Sequence, residues 1–200
     1  ILRRSAAFKT SVSTKPSLEP RSTLSFHGSV TLRIGYVRQS KDRHSEKPSI
    51  KQTVTPEKYC EVYTQYYREA RKEGVYFCQE NVSRCHSRSS EFIRYMSEKC
   101  GDDVRFTLDI KQAHRASFDP FDFIDATKGK LKLVHCNDFD ESSDCLLPLC
   151  GTFDLSLFRR QLSENGYDGM FTIEVYSQNY SDRSEIIDSY KKLSRLFERK

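Results

Sequence analysis

From residue 55 to the C-terminus, short apolar runs alternate with helix-length amphipathic segments, and this alternation restricts the fold more than any other feature. "TPEKYCEVYTQYYREARKEG" offers Thr55 as an N-cap, Pro56 at the first helical position and Gly74 as a stop. Tyr59, Val62, Tyr63, Tyr66 and Ala70 fall near helical spacing and form its expected buried side. "VYFCQE" then reads as a short buried strand, "SSEFIRYMSEKCG" as a Ser-capped helix and "VRFTLDI" as the next strand. "DPFDFIDATKG", "LKLVHCND", "DLSLFRRQLSENG" and "MFTIEV" repeat the rhythm. "SDRSEIIDSYKKLSRLFERK" closes it as an amphipathic helix, with Ile186, Ile187, Tyr190, Leu193 and Phe197 expected inward. Strands separated by helices cannot pair as tight hairpins, so the pattern predicts parallel βαβ units. Upstream, "STLSFHG" reads as one more strand, ending on His27, for a total of five.

The strands share an ending. "FCQEN" finishes on Glu80, "FTLDI" on Asp109, "LKLVHCND" on His135 and Asp138, and "FTIEV" on Glu174. Each apolar run therefore delivers a metal-binding type of side chain at its carboxyl end. A doubly wound sheet gathers ligands at one switch point, whereas a barrel takes inward-pointing chemistry from several strand ends. Four successive polar endings favour the barrel. One such residue alone is as well explained by a helix cap or a local ion pair.

Composition narrows the remaining classes. Hydrophobic residues make up 36% of the 200, enough for one packed domain. No stretch approaches the roughly 18 apolar residues of a membrane helix, so a soluble chain with no membrane partner is expected. The net charge of +5 is uneven: residues 1–54 carry 11 Lys+Arg against 3 Asp+Glu, and the rest 22 against 25. A nucleic-acid-coating protein would be basic throughout, which disfavours that partner class. The basic excess reads as solvated loop, "RQSKDRHSEK" above all. The seven Cys are odd in number and lack metal-finger spacing, which points to free thiols in a reducing, cytoplasmic setting. Asn81 and Asn179 then match a glycosylation sequon by chance. Residues 1–18 hold Arg3, Arg4, Lys9 and Lys15 without an acid, a composition shared by transit peptides and by the remains of a preceding element. We divide the chain into an irregular basic segment, 1–21, and a domain, 22–200.

"QEN", "LDI", "VHCND" and "NGYDGMFTIEVY", in this order, resemble the xylose isomerase-like TIM barrel family, which spans sugar-phosphate isomerases and epimerases and endonuclease IV relatives. The resemblance implies an α/β fold, a (β/α)8 barrel of which about five of eight βα units are present here. It implies one divalent metal held by Glu80, Asp109, His135 and Glu174. Three carboxylates and an imidazole suit Mn²⁺, Co²⁺, Mg²⁺ or Zn²⁺, and four such groups converging would be destabilising without a cation. It implies, further, that Glu80 and Glu174 act as the acid/base pair on a sugar or sugar phosphate, moving a proton next to a carbonyl. Lys111, Gln112, His114 and Asp138 are the candidates for holding sugar oxygens.

The pattern departs from the ketose 3-epimerases in three places. Gln112 stands where they carry a His, "HCNDFDESSD" has no Arg, and their "LPGEG" turn is "LPLCG", with Leu149 at a Gly position. Leu disfavours the positive φ that Gly permits, so a reshaped loop is expected. An eightfold barrel needs about 250 residues, so upstream sequence or a second copy of the chain, a homo-oligomer, is expected to complete the sheet. Two further functions stay open. One is a truncated, non-catalytic remnant. The other is an abasic-site endonuclease, whose three-metal cluster would need more His than the five present.

Overall fold

The computed structural model describes residues 54–198. The expected strand at "STLSFHG" and the 1–21 segment lie outside the described residues. Within them, four parallel strands pair in sequence order: β1 (Cys78–Glu80), β2 (Arg105–Asp109), β3 (Leu131–Cys136) and β4 (Met170–Ile173). Helices α2 (Ser90–Lys99), α3 (Ile110–Arg115), α4 (Asp122–Ala126) and α5 (Leu155–Glu164) join them, with α1 (Pro56–Lys72) before β1 and α6 (Arg183–Glu198) after β4. Parallel strands joined by crossover helices form an α/β arrangement of the kind expected for part of a TIM barrel.

Local chemistry starts and stops these elements. The Thr55 side chain caps α1 by accepting from Lys58 N at 3.3 Å, Pro56 takes the first helical position, and Gly74 turns the chain at φ +72°. Ser89 caps α2 in the same way through Phe92 N. Asp154 caps α5, accepting from Leu157 N at 2.8 Å.

The pleat sorts side chains onto two faces. Phe106, Leu108, Val134 and Cys136 turn toward the helices and join the main apolar cluster with Ile93, Met96, Phe123 and Phe158. The register pairs Glu80 with Thr107, Thr107 with Leu133, Asp109 with His135, Leu133 with Met170 and His135 with Thr172. Those partners share the opposite face, where the sheet becomes more open toward β4: Met170 is 51% exposed.

Two helix faces differ from expectation. In α1 the buried residues are Cys60, Tyr63 and Tyr67, while Val62 and Tyr66 are exposed. Tyr63 lies inward as expected, its hydroxyl against the backbone carbonyls of Phe77 and Arg105. In α6 Leu193 is buried, but Ile187 and Tyr190 are 55% and 61% exposed. Ser189 takes an inward position instead, donating to Pro148 O at 3.0 Å. Apolar spacing predicted the helix and its inward Leu193 and Phe197, and misassigned Ile187 and Tyr190.

The "LPLCG" turn also differs from expectation. Leu149 adopts φ +69°, the left-handed conformation a Gly would take. Gly151 beside it is required by close approach, since a Cβ there would meet Phe139 O at 2.3 Å and Asp138 Oδ1 at 2.4 Å.

Candidate metal centre

Parallel strands place all carboxyl ends on one edge, and that edge gathers the predicted residues. Glu80 ends β1, Asp109 ends β2, His135 sits one residue before the end of β3, and Glu174 follows β4 directly. Glu174 N continues the ladder by donating to Cys136 O at 3.1 Å. Ligand atoms of Glu80, Asp109 and His135 lie within 4.8 Å of one another, and all three side chains are buried. Glu174 reaches the cluster through His135, with Nδ1 to Oε2 at 3.0 Å, and is the most exposed of the four.

Asp109 is held from behind. Asn81 and Asp109 exchange two hydrogen bonds across the strands: Asp109 N donates to Asn81 Oδ1 at 2.7 Å, and Asn81 Nδ2 donates to Asp109 O at 3.0 Å. Asn137 Nδ2 donates to Asp109 Oδ1 at 3.1 Å, and Gln112 N approaches the same oxygen at 3.4 Å. Oδ1 is thereby occupied, leaving Oδ2 to face His135 Nδ1 at 3.7 Å. Enclosed oxygens aimed at an imidazole, with the second oxygen fixed by amides, form the donor set of a divalent-cation site. The residues present fit such an ion.

Lys111 belongs to this cluster, not to a solvated strand end. Its ammonium lies 3.2 Å from Asp109 Oδ2 and 3.1 Å from Glu174 Oε1, and the residue is 1% exposed. Burial would lower its pKa, but Asp109 and then Glu174 outweigh that and raise it, so the ammonium form holds. At His135 burial likewise opposes the charge, while Asp109 and Glu174 raise the pKa to about 9.

The other substrate-side candidates sit further out. Gln112 Oε1 accepts from Ser83 N at 3.0 Å, tying the loop after β1. Asp138 is fully buried, and its Oδ1 accepts from Phe139 N at 2.8 Å and Phe153 N at 3.0 Å, which fastens the loop that follows β3. His114 is exposed and stacks on Phe139 with ring centroids 3.8 Å apart. It lines a cavity of about 550 Å³ with Arg115, Asp144 and Asn179, beside the cluster and not lined by it. Arg115 pairs with Asp144 and donates to the Tyr176 hydroxyl at 2.9 Å. The Tyr176 ring lies 5.2 Å from the Lys111 ammonium, linking cavity wall to cluster.

Sequence reasoning missed the supporting amides. Asn81 and Asn137 each stand next to or near a predicted ligand in "QEN" and "HCND", and adjacency was the available signal. Among the described residues the cluster holds one imidazole, because His86 bonds Val54 O at 2.9 Å and His114 stacks outward. That is a thin supply for a three-metal site.

Comparison with known proteins agrees with this architecture. In sequence, no curated protein matches. Among solved structures, the fold resembles D-psicose 3-epimerase from Clostridium cellulolyticum H10, at 15% identity over 72% of this chain and 56% of that one, TM-score 0.59. It also resembles a zinc-bound IolI protein, at 21% identity over 74% and 59%, TM-score 0.61. A third is a xylose isomerase domain protein from Alicyclobacillus acidocaldarius, at 22% identity over 71% and 57%, TM-score 0.57. The chain thus spans somewhat over half the length of each. A model of the xylose isomerase-like TIM barrel matches residues 30–197, most of the chain, and the protein belongs to that family.

Proposed function

We propose that this chain carries part of a metal-dependent sugar or sugar-phosphate isomerase/epimerase. The observation that supports it best is the convergence of Glu80, Asp109 and His135 at the carboxyl edge of parallel strands, with Glu174 joined through His135. Among the fold relatives are a D-psicose 3-epimerase solved with D-tagatose, an L-ribulose 3-epimerase and an IolI protein with a bound zinc atom.

In this reading Glu80, Asp109, His135 and Glu174 hold one Mn²⁺, Co²⁺, Mg²⁺ or Zn²⁺, which when bound supplies Lewis-acid stabilisation of a sugar oxyanion. Glu80 and Glu174 exchange the proton on the carbon next to the carbonyl, one from each face of the sugar. Glu174, partly exposed, is the more open of the two to substrate. Asn81 and Asn137 keep Asp109 fixed while charge moves. His114 holds sugar oxygens from the wall of the neighbouring cavity, while Lys111, buried between Asp109 and Glu174, offsets their charge. Gln112 and Asp138 act on loop positions through the backbone groups they bind.

The test is solvent-deuterium exchange into the α-carbon of a ketose panel with Mn²⁺ present, for the parent chain and Glu174→Gln. Exchange that is abolished by Glu174→Gln supports the proposal. Exchange at the parent rate in that variant removes Glu174 from the reaction. Cleavage of abasic DNA in place of exchange would favour the endonuclease reading, and no reaction with any substrate would favour a remnant.

A further inference from the structure

We propose that Lys111 is a built-in cation of the cluster, shared by Asp109 and Glu174, which holds the carboxylates together without metal and weakens the metal's grip when one arrives. This rests on the metal-site reading above. Asn137 and Gln112 N occupy Asp109 Oδ1, so Oδ2 is the oxygen turned to His135, and the Lys111 ammonium sits 3.2 Å from it. A metal bound between Asp109 and His135 would use that same oxygen. The ammonium also contacts Glu174 Oε1 at 3.1 Å, so two of the four expected ligands are engaged by one cation.

The position is a built one. Lys111 is 1% exposed, two residues past Asp109 at the start of α3, and Asp109 itself caps that helix. The Tyr176 ring lies 5.2 Å from the ammonium, and its hydroxyl is fixed by Arg115, which Asp144 holds in turn.

Charge bookkeeping gives the consequence. Glu80, Asp109 and Glu174 carry three negative charges, and a divalent ion with Lys111 balances them to zero. Remove Lys111 and the cluster keeps a net negative charge around the metal, which must bind more tightly. Without metal the same removal leaves His135 as the remaining cation beside Asp109 and Glu174, and the excess of negative charge destabilises the fold. A side chain that merely packed would move both properties in the same direction.

Mn²⁺ affinity by isothermal titration calorimetry and melting in chelator, for the 200-residue chain, Lys111→Met and Lys111→Gln, test this. Gln retains an amide donor for the carboxylates but no charge. Both variants should bind Mn²⁺ at least tenfold more tightly than the parent and melt roughly 5 °C or more lower in chelator. Binding by the variants alone, with none by the parent, supports the proposal equally. If the parent binds and the variants bind no more tightly, the proposal is overturned while the metal-site reading stands. If none binds, both fall. Should the variants unfold in chelator, recovery of the fold by Mn²⁺ supports the proposal and failure to recover overturns it.

Discussion

Asp109 and His135 are register partners on adjacent parallel strands, and their facing atoms, Oδ2 and Nδ1, lie 3.7 Å apart. Residues paired in register on one face are held at a spacing set by the sheet and not by side-chain flexibility. The metal-site reading therefore depends on backbone pairing as much as on the identity of the ligands.

Removing the carboxylate from this pair tests that dependence. Asp109→Asn preserves the shape and the contact with Asn137 while deleting the charge. Metal content measured after dialysis should fall to background, and calorimetric affinity should drop at least about 100-fold, a loss beyond that of a supporting residue.

Asn137→Ala asks about support alone. Asp109 Oδ1 loses the 3.1 Å donor that orients it, and the ligand itself remains. Metal affinity should fall about 10- to 100-fold with the binding stoichiometry unchanged. An unchanged affinity would mean that Asn81 and the strand register suffice to aim Asp109.

The His135 pKa of about 9, against an ordinary value near 6.5, gives a pH prediction with a definite sign. The folded pKa lies above the unfolded one, so the stabilisation is complete below about pH 6.5 and is lost as pH rises through about 9. It amounts to roughly 3 kcal/mol at most. Melting in chelator should therefore decline between about pH 6.5 and 9. Metal needs the neutral imidazole, so Mn²⁺ affinity should rise over the same interval. Calorimetry near pH 7 in buffers of different ionisation enthalpy should register proton release on binding.

The loop after β3 yields a pair of opposite expectations. Leu149→Gly relieves a left-handed residue at φ +69°, and the gain should exceed the added unfolded-state freedom by about 0.5–1 kcal/mol. Gly151→Ala should destabilise by about 2 kcal/mol or more, because its Cβ would lie 2.3 Å from Phe139 O. Urea denaturation of the two variants checks both signs.

Much of the architecture was legible because it is local. Thr55, Pro56 and Gly74 bound α1 through groups within four residues of each other, and strand ends such as "FTLDI" announce themselves by an apolar run meeting a carboxylate. The position of Leu149 in a Gly-type turn was read as an obstacle, and the chain instead accepts the conformation at a modest cost. The exposed Ile187 and Tyr190 were read as buried because spacing defines a stripe without saying where the neighbouring layer lies.

The sequence by itself determined the alternation of strands and helices, their caps and the order in which Glu80, Asp109, His135 and Glu174 arrive at strand ends. Those depend on contacts between near neighbours in the chain. Only the tertiary structure decided that Lys111 turns into the cluster, that Asn81 and Asn137 brace Asp109, and that Asp138 fastens a loop. Each of those depends on partners that strand pairing and helix packing bring together from up to 63 positions away, as Lys111 and Glu174 are. A side chain's burial and partners belong to that three-dimensional neighbourhood, which no local period encodes.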